Sequence, residues 1–117
     1  MFTLGLSHAY QLYSKPCDMR KSFDSLAGLV RNELGREPLR GEVYVFLNRT
    51  RSFIKLLHWE DGGFVLYYKR LEQGTFTLPI RQEEGSSFTI NWPEFVLMVE
   101  GIEVKNYIQK QRYKVGE

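Results

Sequence analysis

The sequence predicts an α+β fold in which an antiparallel β-meander sheet of four to five strands packs against an N-terminal amphipathic helix, with a second short helix near the C-terminus. Val43–Leu47, Phe53–Trp59 and Phe64–Lys69 have the length and composition of strands. Short polar clusters separate them, and Glu60–Gly63 contains the Asp-Gly pair that tight hairpins favour. Apolar residues at helical spacing after Asp18 predict the covering helix.

A short strand and the first helix are predicted before the meander. Ala9–Ser14 is the strand, and Pro16 ends it because proline has no backbone donor. Asp18 is a good N-cap for a helix that runs to Leu34 and closes at Gly35, where left-handed geometry is common. The apolar stripe of this helix can cover one face of the sheet. It comprises Met19, Phe23, Leu26, Ala27, Val30 and Leu34.

Alternation along the meander strands makes both faces of the sheet largely apolar. Ile54 and His58 share one face, while Lys55 lies among apolar residues on the other. A sheet with one wet face would not show this pattern, so a helix, a second sheet layer or another subunit must cover the second face. Lys55 has two interpretations. Its amine reaches water or meets Glu60 or Asp61, or it faces an anion such as phosphate.

After the meander, the sequence predicts a short edge strand, a loop and the second helix. Thr75–Leu78 is the candidate edge strand, and the polar segment Arg81–Ser87 is predicted to be a loop. Phe88–Ile90 is predicted to be extended. A proline in the first turn then places the start of the second helix near Pro93.

Length, charge and cysteine content limit the class of protein. The 117 residues suit one domain, predicted over residues 1–102, followed by a basic tail (103–117) that is a last strand, a disordered end or a DNA-contacting arm. A net charge of +2 does not by itself indicate a nucleic-acid binder. The single cysteine, Cys17, allows no internal disulfide and favours a reducing, cytoplasmic setting. No apolar run is long enough to span a bilayer, so no membrane partner is expected.

Patterns typical of catalytic and metal sites are absent from the sequence. Cys17, His8 and His58 are far apart and have none of the spacings that zinc sites use. There is no Walker loop and no glycine-rich dinucleotide fingerprint. An acidic triad of the transposase or nuclease type cannot be assigned, because the candidate acids mostly lie at caps and turns. The sequence therefore predicts a protein that is not an enzyme and that uses no metal or cofactor.

Two segments, Lys15–Leu26 and Phe46–Pro79, carry a family pattern. The first contains D-M-R-K-x-F-D-x-L, and the second contains N-R-x-R-x-x-I-K-L-L-x-W followed by K-R-L-E-x-G-x-F. In these segments the chain resembles TnpB, the accessory protein encoded by the second open reading frame of the insertion sequence sixty-six transposon family. The resemblance implies an auxiliary factor, encoded beside a larger transposase in a bacterial mobile element, that assists transposition without strand chemistry. It implies no catalytic residues.

Cations are the residues through which such a factor would contact DNA. Arg20 and Lys21, in the first turn of the predicted helix, have two interpretations. They pair with Asp24 one turn later, or they form a cationic patch beside helix amides that suits an anion. The candidate DNA contacts are Arg20, Lys21, Arg49, Arg51, Lys55, Lys69 and Arg70.

Four of these cations are expected to line one rim of the sheet. Arg49 and Arg51 lie in the first loop of the meander, and Lys69 and Arg70 end its third strand. In an antiparallel meander that strand returns to the end of the sheet where this loop lies. The alternative is that Arg70 pairs with Glu72 and that the loop arginines are merely solvated.

The leading hypothesis is an accessory factor that binds transposon-end DNA, the transposase of the same element, or both. The alternative is a protein–protein module, in which the apolar sheet or aromatic strands form a homodimer or partner interface with no DNA contact. A third hypothesis is a small enzyme with an unrecognised site. Cations clustered on one face favour DNA, whereas an exposed aromatic patch favours protein.

Overall fold

Residues 4–79 and 84–100 are described by a computed structural model of the chain, and they form a five-stranded sheet with helices packed on it. The elements in chain order are β1 (Tyr10–Tyr13), α1 (Phe23–Leu29, extended by a π-helical segment Val30–Leu34), a 3₁₀ turn (Pro38–Arg40), β2 (Val43–Leu47), β3 (Phe53–Glu60), β4 (Gly63–Arg70), β5 (Ser87–Ile90) and α2 (Trp92–Glu100). The α+β class and the three meander strands β2, β3 and β4 are confirmed.

The sheet is mixed, with the strand order β4-β3-β2-β1-β5, so the prediction of an antiparallel sheet is wrong at one pair. β1 runs parallel to β2, with Tyr10 opposite Val43 and Leu12 opposite Val45. The other three pairs are antiparallel. Parallel neighbours need a crossover connection, which here contains α1. The helix predicted as N-terminal to the sheet is therefore the link between β1 and β2.

The first helix begins later than predicted. Its N-cap is Ser22 rather than Asp18, because residues 18–21 form a separate turn. In that turn the Asp18 carboxylate accepts the Arg20 amide at 2.9 Å, and the Asp18 carbonyl accepts the Lys21 amide at 3.1 Å. The predicted end is confirmed, since the helical segment stops at Leu34 and Gly35 takes a left-handed conformation with a φ of 67°.

Helices cover both faces of the sheet, which explains the apolar character of both. The face with Ile54 and Leu56 packs against α2, where the Phe95 ring stacks on Tyr10 with 4.5 Å between centroids. The opposite face packs against α1. Its buried cluster comprises Tyr13, Cys17, Leu26, Ala27, Leu29, Val30, Tyr44, Phe46 and Leu57. The sequence left open whether a helix, a second sheet layer or another subunit covers the second face. The structure shows a helix on each face of the sheet.

The segment after β4 is not the predicted edge strand Thr75–Leu78. It crosses the β2–β3 loop and is hydrogen-bonded to it twice. The Leu71 amide donates to the Ser52 carbonyl at 2.8 Å, and the Phe76 amide donates to the Arg51 carbonyl at 2.7 Å. The Phe76 side chain is fully buried in the cluster beneath α2. These bonds hold the segment against a loop instead of a strand ladder.

The remaining predictions concern the C-terminal part of the chain. The extended segment at Phe88–Ile90 and the helix start near Pro93 are confirmed by β5 and α2. Ser87 belongs to β5 rather than to the predicted loop, and the basic tail lies outside the described residues. Within residues 4–79 and 84–100, no helix is long and apolar enough to cross a membrane.

Candidate nucleic-acid interface

The sheet brings cations from three connections to one of its ends, which we call the cationic end. β1, β2 and β4 finish there, and Arg70 and Lys69 of β4 lie opposite Phe53 and Ile54 at the start of β3. The residues that define the cationic end are Lys15 after β1, Arg49 and Arg51 in the β2–β3 loop, and Lys69 and Arg70 at the end of β4.

The β2–β3 loop has a fixed backbone because Asn48 bonds across it. The Asn48 side-chain oxygen accepts the amides of Ser52 and Phe53 at 2.9 and 3.0 Å. Its side-chain amide donates to the Thr50 and Ser52 hydroxyls at 3.2 Å each. Arg51 takes a left-handed conformation with a φ of 56°, which such a tight loop requires. The loop therefore holds its two arginines on a defined frame.

The connection that carries Lys15 is attached to the same part of the sheet. The Cys17 amide donates to the Leu47 carbonyl at the end of β2 (2.8 Å). On its other side, the Ser14 hydroxyl donates to the Gly85 carbonyl at 2.7 Å. The segment that follows β1 is thus hydrogen-bonded on both sides and runs beside the arginine loop.

A cavity of about 190 Å³ lies between these two connections. Two of its lining residues are almost fully buried, Tyr13 at 6% and Leu47 at 5% exposure. The Tyr13 hydroxyl donates to Glu33 at 2.8 Å, and burial together with this bond raises the Tyr13 pKa to about 12, so the phenol stays neutral. The cavity is lined by Tyr13, Ser14, Lys15, Pro16, Leu47, Asn48, Arg49, Arg51 and Leu78.

Within the described residues, four of the five cations at the cationic end have no ion pair, as is also true of Lys21 and Arg40 elsewhere. Arg31 and Arg36, which flank the end of the first helix, pair with Glu37 and Glu42 at 3.2 and 2.9 Å. At the cationic end, Arg70 pairs with Glu72 at 2.9 Å, as the solvated alternative predicts. Both partners are more than 60% exposed, so this pair is worth less than about 1 kcal/mol. Among the described residues, no ion pair involves Lys15, Arg49, Arg51 or Lys69.

Lys55 lies inside the protein rather than at the cationic end. It is 5% exposed, and its ammonium donates to the carbonyls of Met19 and Lys21 at 2.6 and 2.5 Å. The same ammonium lies 4.5 Å from the centre of the Tyr68 ring. The predicted partners Glu60 and Asp61 are therefore wrong, and this lysine holds the turn before α1.

Arg20 and Lys21 belong to that turn and do not line the cavity. Arg20 pairs with Asp18 at 2.7 Å instead of with the predicted Asp24. Hydrogen bonds from the Arg20 side chain and amide lower the Asp18 pKa to about 2. The structure thus separates the seven candidate contacts into the rim residues Arg49, Arg51, Lys69 and Arg70, the neighbouring turn with Arg20 and Lys21, and the buried Lys55.

Lys15 is a cation of this site that sequence reasoning did not select. The order strand, helix, strand from β1 to β2 is typical of a parallel crossover, which would have placed Lys15 at the end of the sheet where the Arg49–Arg51 loop lies. The prediction of a purely antiparallel sheet concealed that signal.

No metal-binding arrangement is found in the described part of the chain, where no three His, Cys, Asp or Glu side chains group together. Cys17 is buried against α1, and burial raises the pKa of its thiol. His58 belongs to the opposite face of the sheet by alternation, so the two do not form a pair. That the protein is not an enzyme stays a prediction.

Comparison with known proteins extends the resemblance beyond the two motif segments. Residues 8–109 match the family described as IS66 Orf2 like protein. The chain belongs to this family. It is 38% identical over 87 residues to uncharacterized protein y4hO of Sinorhizobium fredii (strain NBRC 101917 / NGR234), covering 74% of this chain and 73% of that one. Uncharacterized protein y4jC of the same strain is 28% identical over 90 residues, 77% and 75% of the two chains. No solved structure matches the chain.

Membership in the IS66 Orf2-like family confirms the resemblance drawn from the D-M-R-K and N-R-x-R segments. It makes the protein a transposition-associated accessory protein. The matched range includes the cationic end and both helices.

Proposed function

We propose that this IS66 Orf2-like protein assists the transposase of its element by binding the backbone of transposon-end DNA with the cationic end. The observation that carries the proposal is the arrangement of Lys15, Arg49, Arg51 and Lys69 at one end of the sheet. Within the described residues these cations have no carboxylate partner, whereas Arg31 and Arg36 elsewhere do. Cations without acidic neighbours are available to neutralise phosphate.

Fixed loops at the cationic end favour binding. The hydrogen bonds of Asn48 hold the loop, and those of Leu71 and Phe76 attach the following segment to it. Little backbone freedom is then lost when Arg49 and Arg51 meet phosphate, so less of the binding energy is spent on ordering. Contacts of this kind read no base sequence, and they fit an accessory role in which the transposase supplies sequence recognition.

Replacing Arg49, Arg51, Lys69 and Arg70 together by Ala tests the proposal. DNA affinity should fall about equally for transposon-end and unrelated duplexes, and the slope of log affinity against log salt should decrease by about 0.9 for each phosphate that the variant no longer neutralises. The measurement is a fluorescence anisotropy titration of labelled duplex at a series of salt concentrations. The matched control is the double variant R31A/R40A, which removes exposed cations away from the cationic end.

Two results contradict the proposal. One is absence of binding by the wild-type protein at low salt. The other is a salt slope in the quadruple variant equal to that of the wild type. A loss of binding in R31A/R40A as large as that in the quadruple variant would mean that the cationic end has no special role.

The second candidate function is protein binding through β4, and the exposed aromatic residues of that strand favour it. β4 is an edge strand, and Tyr67 and Tyr68 are 40% and 52% exposed. An edge strand offers a ladder of backbone groups to a partner strand, here the transposase or a second copy of the chain. Pull-down of the purified transposase, with and without transposon-end DNA, tests this candidate. Capture without DNA that is lost in Y67S/Y68S supports a β4 interface, and capture only with DNA supports the cationic end.

A further inference from the structure

We propose that the cavity between the β1–α1 connection and the β2–β3 loop is a seat for one phosphate group of a nucleic-acid backbone, and that Lys15, Arg49 and Arg51 bind this phosphate together. The inference rests on the proposed DNA binding and adds to it a defined place and a single phosphate that three of the cations share.

The charge of the cavity lining points to an anion. Lys15, Arg49 and Arg51 contribute three cations, and no Asp or Glu lines the cavity. A larger cavity, of about 490 Å³, lies near the end of the first helix, but its two arginines, Arg36 and Arg40, are balanced by two carboxylates. Of these two spaces, the smaller one therefore carries the net positive charge that a phosphate needs.

The lining residues are also suited to phosphate by their geometry. The cations come from two chain segments that face each other, so a group between them is contacted from more than one side. Arginine can donate two parallel hydrogen bonds to phosphate oxygens, while lysine adds a point charge. The exposed side chains of Pro16 and Leu78 present apolar surface, against which an adjoining sugar can pack.

Lys15 and Arg49 are exposed and Arg51 is half-buried, so water and salt screen each of the three charges. Fixed walls offset part of this screening, because little backbone freedom is then lost when the phosphate binds. Hydrogen bonds of Cys17 to Leu47 and of Asn48 across its loop already fix both walls of the cavity. The seat is therefore largely formed before the ligand arrives.

Inorganic phosphate is the first probe. In a ¹H–¹⁵N correlation titration, phosphate should shift the amides of Ser14, Lys15, Asn48 and Arg49 in a saturable manner. Lys15→Gln should weaken this binding several-fold, and Arg40→Gln, which alters the other cavity, should leave it unchanged. Shifts that do not saturate, or that are the same in Lys15→Gln, would overturn the assignment of the cavity.

Salt dependence of duplex binding is the second probe, because it counts phosphates. If the three cations share one phosphate, the triple variant K15Q/R49A/R51A should reduce the salt slope by about 0.9 relative to the wild type. If each cation meets a different phosphate, the slope should fall by about 2.7, which is three times as much. The second result overturns the seat and leaves the proposed DNA binding intact.

The remaining outcomes separate the two proposals further. Saturable phosphate shifts combined with an unchanged DNA affinity and slope in Lys15→Gln would identify an adventitious ion only, and would overturn the seat. No DNA binding by the wild type at any salt concentration overturns the seat and the proposed function together. A slope change of about 0.9 in the triple variant, with a larger change in the quadruple rim variant, supports both.

Discussion

At the scale of single residues, Lys55 shows how context decides the role of a charge. The sequence alone shows that Lys55 is unusual, because it is a charged residue within an apolar strand. The partners could not be predicted, because the carbonyls of Met19 and Lys21 lie more than 30 residues away in the chain. A buried ammonium needs such partners, since transfer from water without them is costly. Lys55 therefore connects β3 to the turn that carries Arg20.

Replacement of Lys55 by Met keeps an unbranched apolar chain but removes the donor from two backbone carbonyls. We expect the free energy of unfolding to fall by about 1–3 kcal/mol, because these carbonyls lose hydrogen bonds to a charged group. Urea denaturation measures this change, and amide exchange at Lys21 should accelerate more than exchange within β3. Lys69→Met is the matched control on the neighbouring strand, where the exposed side chain should cost less than about 0.5 kcal/mol. Equal effects of the two variants would show that the carbonyl contacts contribute nothing.

At the scale of elements, the sequence predicted what depends on neighbours in the chain. β2, β3 and β4 follow from composition, short turns and alternation, and the end of the first helix follows from Gly35. Two features depend on hydrogen bonds between distant segments and were predicted wrongly. They are the parallel pairing of β1 with β2 and the loop that carries Phe76. The helix start at Ser22 was also predicted wrongly, but for a local reason, since Asp18 accepts amides within its own turn instead of capping the helix.

The β2–β3 loop is the element in which structure and proposed function meet. Asn48→Ala removes four hydrogen bonds from the loop, and we expect it to lower the free energy of unfolding by about 1–3 kcal/mol. DNA affinity should also fall, although every cation remains, because Arg49 and Arg51 must then be ordered on binding. Anisotropy at low salt compares this variant with Thr50→Ala, which removes only one of these four hydrogen bonds. An unchanged affinity in Asn48→Ala would show that the frame is unimportant for binding.

At the scale of the whole molecule, charge distribution matters more than total charge. A net charge of +2 conceals a sheet with a cluster of cations at one end and with Arg36–Glu42 and Arg31–Glu37 pairs elsewhere. The rim formed by the Arg49–Arg51 loop and the end of β4 could be predicted from the sequence. Both lie within three consecutive antiparallel strands, whose pairing follows from their order in the chain. The contribution of Lys15 was missed because it depends on how β1 returns to β2, and the prediction of a purely antiparallel sheet set aside the strand–helix–strand order that indicates a parallel return. Among residues 4–79 and 84–100, helices lie on both faces of the sheet, and its ends and edges are the surfaces open to partners.

Global stability should depend on pH through His58. This side chain is 4% exposed, and burial, together with the nearby His8 ring at 4.9 Å, lowers its pKa from the ordinary value of 6.5. Below about pH 6.5 the unfolded chain binds the proton first, so protonation favours unfolding. The free energy of unfolding should therefore be greatest above pH 6.5 and should decrease as the pH falls towards the folded-state pKa. The slope cannot exceed about 1.4 kcal/mol per pH unit for one proton.

Urea denaturation between about pH 7.5 and 5.5 measures this dependence in a window above the titration of most carboxylates. His58→Phe keeps a ring of similar size but cannot titrate, so its stability should vary less with pH, whatever its absolute value. The control is His8→Phe, which keeps His58 and places a phenyl ring where the His8 ring contacts it. This variant should keep most of the wild-type dependence of the free energy of unfolding on pH. The comparison rests on slopes because the loss of the hydrogen bond between His58 and the Glu42 backbone also alters the absolute stability. Parallel curves for the wild type and His58→Phe would show that another group controls stability in this range.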